Sequence, residues 1–229
     1  MSLQGEWKRL KRRVHRLGER LHAWRDAARV HARNAAHPAR VLFVDGGSNL
    51  GQGFEWFARR YDDGKIAFHL FEPNPNCHPA LERLRARYGE RMEIHAAALG
   101  TAEGEMKFYG LAEGGELSQG GSLLKSHNST YYEAREDAAI EVRVMDFPAY
   151  LERQAERFDT IVVKMDIEGA EIDLLEALLE GGAHRFIDTL YVEFHAQYQA
   201  EPERSRLRAR ERALVARLKA TGMRVRIWH

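Results

Sequence analysis

The chain has 229 residues, and its 35 basic and 34 acidic side chains leave a formal net charge of +1. Residues 1–40 carry 11 basic and 3 acidic side chains (+8), residues 41–200 carry 15 and 28 (−13), and residues 201–229 carry 9 and 3 (+6). A hydrophobic content of 44% is enough for a sizeable core and excludes a disordered chain. One cysteine, Cys77, excludes an internal disulfide and a cysteine-based zinc site.

No targeting or membrane-spanning segment is recognisable in the sequence. No apolar run approaches the roughly 18 residues of a membrane-spanning helix. The first residues lack the apolar stretch and the small-residue cleavage site of a secretory signal. We therefore expect a cytoplasmic protein, with peripheral contact to a membrane as a further option for its basic N-terminal segment.

An apolar heptad pattern predicts one helix over residues 7–33, followed by a linker at 34–40. The apolar seam consists of Trp7, Leu10, Val14, Leu17, Leu21, Trp24 and Ala28. Three interpretations of the seam stay open: packing on its own domain, a homodimer coiled coil, and a helix lying at a membrane surface. We treat residues 1–40 as a basic helical extension and residues 41–229 as the main domain.

From residue 41 onward, strand patterns alternate with helix patterns. The predicted strands cover residues 41–44, 66–71, 92–98, 105–109, 140–145, 160–165, 190–194 and 225–228. The predicted helices cover residues 53–61, 79–88, 147–157, 170–180 and 203–220. This alternation predicts an α/β fold with a doubly wound, mostly parallel sheet. Ligands of such sheets bind at the carboxyl ends of the strands, so the residues after each strand are the candidates for a site.

The first two strands end in features that suit a nucleoside-type ligand. The first runs into a glycine-rich loop that begins at Asp45 and lacks both the dinucleotide fingerprint and the lysine of a phosphate loop. An acid at that strand end favours a cationic ligand over a pyrophosphate. Glu72 follows the second strand, 27 residues after Asp45, close to the spacing at which doubly wound folds place an acid on a ribose diol.

Two later strands end in acids and a histidine. Asp166 and Glu168 follow the strand at 160–165, where Glu171 is expected to interact mainly with the dipole of the next helix. Glu193 and His195 follow the strand at 190–194. A histidine at a strand tip is open to three roles, as a general base, a metal ligand or a surface residue.

Taken together, these sequence blocks resemble the FkbM family of S-adenosylmethionine-dependent methyltransferases. The blocks are VDGGSNLG at 44–51, FEPNP at 71–75, KMDIEGAE at 164–171 and EFH at 193–195. The resemblance covers about residues 41–195 and implies a class I, Rossmann-like methyltransferase domain at 41–229, with the N-terminal helical extension outside it. It also implies S-adenosyl-L-methionine as cofactor and O-methylation of a hydroxyl on a sugar, glycolipid or secondary metabolite.

The resemblance further assigns roles to individual residues. The implied cofactor-binding residues are Asp45, Gly47, Asn49 and Gly51 for methionine, Glu72 and Asn74 for ribose, and Ala97 for the edge of adenine. The residues implied at the transferred methyl group are Asp166, Glu168, Glu193 and His195. Sheets of this type normally close with an antiparallel strand after the one predicted at 225–228, so we expect that strand to be missing.

Methyl transfer to an alcohol requires removal of the hydroxyl proton. We favour His195 as the general base. The alternative is a Mg²⁺ or Mn²⁺ ion on Asp166, Glu193 and His195, since these ions accept oxygen and nitrogen ligands and lower the pKa of a bound hydroxyl. The acidic centre argues against a nucleic-acid substrate and favours a small-molecule or glycan acceptor, which the glycine-interrupted segment 101–139 is expected to face.

Two other functions compete with a methyltransferase at this stage. The first is a catalytically inactive, cofactor-binding module that scaffolds a biosynthetic complex through its basic helices. The second is a nicotinamide oxidoreductase, which the departure of the first loop from the dinucleotide pattern disfavours.

Overall fold

A computed structural model describes residues 3–36, 40–110, 121–125 and 136–228, with side chains of the first helix described at 17–33 and 35. The helices are α1 (Leu3–Ala36), α2 (Gln52–Tyr61), α3 (His78–Tyr88), α4 (Phe147–Ala155), α5 (Glu171–Glu180) and α6 (Glu203–Ala220). The strands are β1 (Val41–Gly46), β2 (Ala67–Phe71), β3 (Met92–His95), β4 (Ala98–Gly100), β5 (Gly104–Phe108), β6 (Ile140–Asp146), β7 (Thr160–Met165), β8 (Thr189–Val192) and β9 (Arg224–Ile227).

The main sheet has six strands in the order β3-β2-β1-β7-β8-β9, and all of its pairings are parallel. The strand order changes direction between β1 and β7, which is the point where doubly wound sheets open a ligand-binding crevice. The predicted α/β, doubly wound, Rossmann-like sheet is therefore confirmed.

The hydrophobic core consists of two layers, one on each face of this sheet. Along β1, Leu42 and Val44 face the layer that contains α4, α5 and α6, whereas Val41 and Phe43 face the layer of α1, α2 and α3. Every residue of β1 is buried, because both faces of a parallel sheet are covered by helices. This explains the continuous apolar run from which the strand was predicted.

The single strand predicted over residues 92–98 is wrong, because the chain changes sheets within it. The N–H of Ala97 donates to the carbonyl of His95 at 2.8 Å, and this tight turn ends the pairing of β3 with β2. β4 then joins a second sheet of order β4-β6-β5, which has a small core of its own. An apolar pattern cannot show such a change of partner.

Of the predicted acceptor-facing segment 101–139, residues 111–120 and 126–135 lie outside the described residues.

The helix α1 packs on the sheet through a different face from its apolar seam. The buried positions are Ala23, Asp26, Ala27 and Val30. The seam residues Leu17, Leu21 and Trp24 are 58%, 59% and 56% exposed. Packing of the seam on its own domain is therefore the wrong interpretation for these three residues, since the helix uses a face of small side chains that permits a closer approach.

The other two interpretations of the seam, a homodimer or contact with a membrane surface, stay predictions. The side chains of Trp7, Leu10 and Val14 lie outside the described residues. Among the helices in the described ranges, none is long and apolar enough to cross a membrane.

A buried carboxylate fixes α1 to the far edge of the sheet. Asp26 is 2% exposed and accepts hydrogen bonds from Arg226 Nε at 2.9 Å, Arg226 Nη2 at 3.0 Å and Tyr191 Oη at 3.1 Å. Tyr191 Oη also lies 2.8 Å from Tyr61 Oη. The second half of α1 thus shares both core and ion pairs with the main domain, while the predicted boundary at residue 40 stays a prediction.

We expect Asp26→Ala to lower the free energy of unfolding by about 2–3 kcal/mol, because Arg226 and Tyr191 lose their shared acceptor. The matched control is Arg25→Ala, an exposed residue on the same helix, for which we expect a change within about 0.5 kcal/mol. Denaturant unfolding of the full chain measures both. Equal stability of the two variants would mean that the helix is not anchored by Asp26.

Candidate active site

A cleft with an empty volume of about 630 Å³, its mouth included, opens at the carboxyl ends of β1, β2 and β7. The predicted site residues that line it are Gly47, Asn49, Glu72, Asn74, Ala97, Asp166 and Glu168. The other predicted site residues, which do not line it, are Asp45, Gly51, Glu193 and His195. The strand-end argument thus identified loops that line one cavity, but it did not separate residues at the surface of the cleft from those behind it.

Four further lining residues were missed by the sequence argument, namely Cys77, Phe108, Gly121 and Leu123. Phe108 ends β5 of the second sheet, and Gly121 and Leu123 come from the segment that follows. The expectation that segment 101–139 faces the acceptor pointed toward Phe108, Gly121 and Leu123, whereas no sequence signal pointed toward Cys77. They give one side of the cleft an apolar character.

The glycine-rich loop after β1 touches both neighbouring strands. Gly47 has φ +74°, and a Cβ atom there would lie 1.8 Å from the carbonyl oxygen of Asp166. The N–H groups of Gly47 and Ser48 both donate to the carbonyl of Phe71 at 3.0 Å. A residue with a side chain at position 47 would therefore push the loop away from β7.

Two residues without glycine's freedom also adopt positive φ angles at the cleft. Asn49 has φ +50° and Glu168 has φ +53°, and both line the cavity. Such backbone conformations are uncommon outside glycine and concentrate at binding sites and active sites. The two loops that carry them face the same cavity.

Lys164, near the end of β7, is a functional residue that the sequence argument quoted but gave no role. Its side chain is 1% exposed, and its Nζ lies 3.0 Å from Asp45 Oδ1 and 3.4 Å from Asp166 Oδ2. The same Nζ donates to the carbonyl of Gly47 at 2.8 Å. Burial lowers the pKa of Lys164, but Asp45 and Asp166 raise it further, so the net pKa lies above its ordinary value and the amine stays charged.

This ion pair explains why Asp45 does not reach the cleft. Asp45 is fully buried with its carboxylate directed at Lys164, while the adjacent Ser48 hydroxyl donates to the Asp45 carbonyl at 3.0 Å. The acid predicted to contact a cationic ligand is therefore neutralised by a cation of the protein itself. Its role in the free chain is to hold the loop after β1 against β7.

Glu72 joins the loops that follow β1 and β2. Its Oε2 accepts the N–H of Asn49 at 2.7 Å, and its Oε1 accepts the N–H of Asn74 at 2.8 Å. The side chain is 6% exposed, and burial raises its pKa to about 7, although these two backbone hydrogen bonds lower it. Each carboxylate oxygen keeps a further lone pair, so the group can still accept hydroxyl donors from the cleft.

His195 lies behind the acids of the cleft. Its Nδ1 lies 2.9 Å from Glu171 Oε1, and its Nε2 lies 3.4 Å from Glu168 Oε2 and 3.5 Å from Asp166 Oδ1. Glu171 is 1% exposed and also accepts the N–H groups of Ile167 and Gly169. Glu171 therefore holds the histidine as well as the start of its helix, a role beyond the dipole interaction expected from the sequence.

The charges around His195 decide its protonation state. Burial lowers its pKa, but the hydrogen bond to Glu171 and the charges of Glu171, Glu168 and Asp166 raise it to about 10. The nearby Glu193 has its pKa raised to about 7, first by burial and then by Asp166. An acidic cluster with one imidazolium at its centre is the result.

Comparison with known proteins places this arrangement in a family. The sequence profile described as the Methyltransferase FkbM domain matches residues 45–215. This chain belongs to the FkbM methyltransferase family. A search of curated protein sequences found no match. Among solved structures, the methyltransferase FkbM from Methylobacillus flagellatus KT aligns with 18% identity and a TM-score of 0.36, over 62% of this chain and 29% of that one.

The FkbM match confirms the resemblance inferred from the four sequence blocks. Together with the strand order, it identifies the main domain as a class I methyltransferase fold, and methyltransferases of this family imply an S-adenosylmethionine-type cofactor in general. The cleft fits such a group, since a buried carboxylate and a tight glycine turn line one cavity with apolar residues.

The raised pKa of His195 disfavours the general-base role predicted for it in this FkbM domain, and that role stays a prediction. A general base must be neutral to take a proton, whereas a pKa of about 10 leaves the imidazole charged at neutral pH.

The candidate ligands for a cation in the structure differ from the set predicted from the sequence. The ligand atoms of Asp166, Glu168 and His195 all lie within 4.8 Å of one another, whereas Glu193 is not part of this group.

We expect Lys164→Met to lower the free energy of unfolding by about 3–5 kcal/mol, because Asp45 then remains buried without its cation. Lys164→Met combined with Asp45→Asn should cost less than the two single variants added together, as in a double-mutant cycle between contacting groups. The control is Lys65→Met, an exposed lysine in the turn before β2. Strict additivity of the two single variants would contradict the ion pair.

We expect the His195 imidazole to remain protonated at pH 8 in the free chain, as observed by NMR of its ring nitrogens. The raised pKa stabilises the fold fully below the ordinary value of 6.5, and this contribution is lost as the pH rises through about 10. In Glu171→Gln the imidazole should titrate at a lower pH, whereas Glu180→Gln, an exposed acid on the same helix, should leave it unchanged. A neutral ring at pH 8 in the wild-type chain would contradict this picture.

Proposed function

We propose that this FkbM domain transfers the methyl group of S-adenosyl-L-methionine to a hydroxyl oxygen of a sugar, glycolipid or secondary metabolite. The observation that carries the proposal is the pair of carboxylates, Asp166 and Glu168, in the same cleft as Glu72. Carboxylates accept hydrogen bonds and offer no donors when ionised, so they suit a ligand rich in hydroxyl groups. The same negative charge disfavours a phosphate-rich acceptor.

The cofactor-binding residues act in two groups under this proposal. Glu72 accepts the ribose hydroxyls, while Asn49, Asn74 and Ala97 line the cavity on either side of it. Asp45 and Gly51 act indirectly, through the shape of the loop after β1. The bound cofactor supplies a methyl group already activated by a positively charged sulfur, so the remaining task of the protein is to position the acceptor and to remove its proton.

The proton acceptor we propose is the carboxylate of Asp166. Of Asp166, Glu193 and His195, which were predicted as a general base or as cation ligands, Asp166 is the one that lines the cleft, with Lys164 and His195 behind it. His195 and Glu193 then act as positioning residues, because the charged imidazole fixes the acids that face the acceptor. This assignment replaces the general-base role that we favoured for His195 from the sequence.

A divalent cation is the second proposal for the acceptor side. Asp166, Glu168 and His195 offer two oxygens and one nitrogen, which suit Mn²⁺ or Mg²⁺ once the ion displaces the proton of His195 Nε2 to solvent, and Glu171 would hold the other ring nitrogen as an outer partner. A cation bound there would lower the pKa of an acceptor hydroxyl. The test is Mn²⁺ binding by the full chain, which Asp166→Asn should abolish, together with activity after chelation.

The scaffold function remains as an alternative because of one observation. Leu17, Leu21 and Trp24 form an exposed apolar strip on α1, which suits a protein partner, a second copy of this chain or a membrane surface. Measurements of cofactor binding and of methyl transfer distinguish a scaffold, which binds the cofactor without turnover, from an active methyltransferase.

That nucleic acid is not a partner stays a prediction.

The first measurement is calorimetric binding of S-adenosylhomocysteine at pH 6 and pH 8. We expect tighter binding at pH 8, because Glu72 has a pKa of about 7 and its ionised form is the better acceptor for a diol. Glu72→Gln should weaken binding by about 10–100-fold and remove this pH dependence. Glu82→Gln, an exposed acid on α3, is the control. Tight binding of NADH in place of the methyl-donor product would contradict the cofactor assignment.

The second measurement is methyl transfer from labelled S-adenosylmethionine to a panel of hydroxyl-bearing glycans and secondary metabolites. We expect Asp166→Asn to lower kcat by at least about 100-fold while the affinity for S-adenosylhomocysteine is retained. Binding without turnover on any hydroxyl acceptor would favour the scaffold. Full turnover by Asp166→Asn would remove this residue from the chemistry.

A further inference from the structure

A second cluster of potential ligands lies away from the cleft, on the first edge of the main sheet. His69 of β2 is directly opposite Glu93 of the edge strand β3, and His95 lies two residues further along β3 on the same face. His69 Nε2 is 3.5 Å from Glu93 Oε1, and His95 Nε2 is 3.8 Å from Glu93 Oε2. The three ligand atoms lie within 4.8 Å of one another. Neither the proposed cofactor nor the proposed acceptor uses them.

The spacing is wider than direct hydrogen bonding and close to that of a shared metal ion. A ring N–H donated to a carboxylate lies about 2.7–3.2 Å from the accepting oxygen. Two ligands of a tetrahedral zinc ion, at bond lengths of about 2.0–2.1 Å, are about 3.3–3.4 Å apart. Small side-chain rotations would bring the observed distances to the second value, with an ion at the centre of the triangle.

The hydrogen bonding of the two imidazoles suits a role as metal ligands. His69 Nδ1 is hydrogen-bonded to the hydroxyl of Tyr150, which leaves Nε2 facing Glu93. His95 Nε2 is buried and has no hydrogen-bond partner among the residues that the structure describes. A metal-bound histidine is usually held by its second nitrogen in the way that Tyr150 holds His69.

Aromatic neighbours fix the orientation of both rings, while the carboxylate of Glu93 reaches the protein surface. His95 stacks on Phe71 at a centroid distance of 4.4 Å, and His69 meets the ring of Phe158 edge-on at 6.0 Å. The side chain of Glu93 is 48% exposed, so the cluster reaches the protein surface through this carboxylate. Two histidines and one carboxylate form a donor set that favours zinc and similar ions over Mg²⁺ or Ca²⁺.

We propose that His69, Glu93 and His95 bind a transition-metal ion, best matched by Zn²⁺, with water as the fourth ligand. The ion would tie β2 to the edge strand β3. The backbone of His95 accepts the N–H of Glu72 at 3.1 Å and that of Ala97 at 2.8 Å, so its position is passed directly to two lining residues of the cleft. A metal ion bound there would therefore stabilise the side of the cleft formed by Glu72 and Ala97, independently of the ligand that the cleft binds.

The test is a titration of the metal-free full chain with Zn²⁺ in competition with a chromophoric chelator, and with Co²⁺ as a spectroscopic probe. We expect one equivalent that is retained in Asp166→Asn, and Co²⁺ bound to that variant should give the visible absorption of a tetrahedral site. Glu93→Gln and His95→Phe remove one ligand each, while the latter keeps the ring that stacks on Phe71. Each should weaken binding by more than the about 10–100-fold expected for Tyr150→Phe, which removes only the outer partner of His69.

The matched control is Glu90→Gln, an exposed acid just before β3, which should bind like the wild-type chain. Because Glu93 is half exposed, Glu93→Gln is expected to fold, and circular dichroism checks this. Wild-type affinity in both Glu93→Gln and His95→Phe would overturn the proposal. So would loss of the bound equivalent in Asp166→Asn alone, since the metal would then belong to the cleft. Absence of Zn²⁺ binding at stoichiometric concentrations would overturn it as well.

Discussion

A buried positive charge at the end of β7 is the interaction on which the rest of the cleft depends. Lys164 lies where the strand order changes direction, and its amine contacts Asp45 near the end of β1 and Asp166 directly after β7. It also holds the loop after β1 through the carbonyl of Gly47. Without this cation, the fully buried carboxylate of Asp45 would lie close to that of Asp166 with no positive charge to pair it, which is costly. The charge of Lys164 therefore allows Asp45 of β1 to lie close to Asp166, which follows β7.

The same principle organises the acceptor side of the cleft. His195 is a cation among carboxylates, and its charge allows Asp166 and Glu168 to face one cavity together. Lys164 and His195 stand behind the lining acids as fixed counter-charges. The negative surface offered to a ligand is thus confined to the side chains that reach the cavity, which supports the proposal of a hydroxyl-bearing acceptor.

Several properties of this protein follow from local sequence pattern alone. Continuous apolar runs identified the buried strands, such as β1 and β7, because strands covered on both faces need apolar residues at every position. Strand-end residues such as Glu72 were found because parallel strands bring their carboxyl ends to one edge. The same argument failed for the strand predicted at 92–98, where the chain leaves the main sheet after His95. Pairing partners are set by long-range contacts, and a local pattern does not contain them.

The sequence by itself determined the fold class, the family and the loops that form the cleft, since these depend on periodicity and on short motifs. Only the tertiary structure decided which acids reach the cavity and which are neutralised behind it. Asp45 was expected at the ligand and is instead held by Lys164, and the acids around His195 raise its pKa to about 10, which a sequence pattern could not show. Burial and neighbouring charges set protonation, and both depend on residues far apart in the chain. The exposure of the apolar seam of α1 likewise depends on tertiary contacts, because the surface on which the helix packs determines which of its faces is buried.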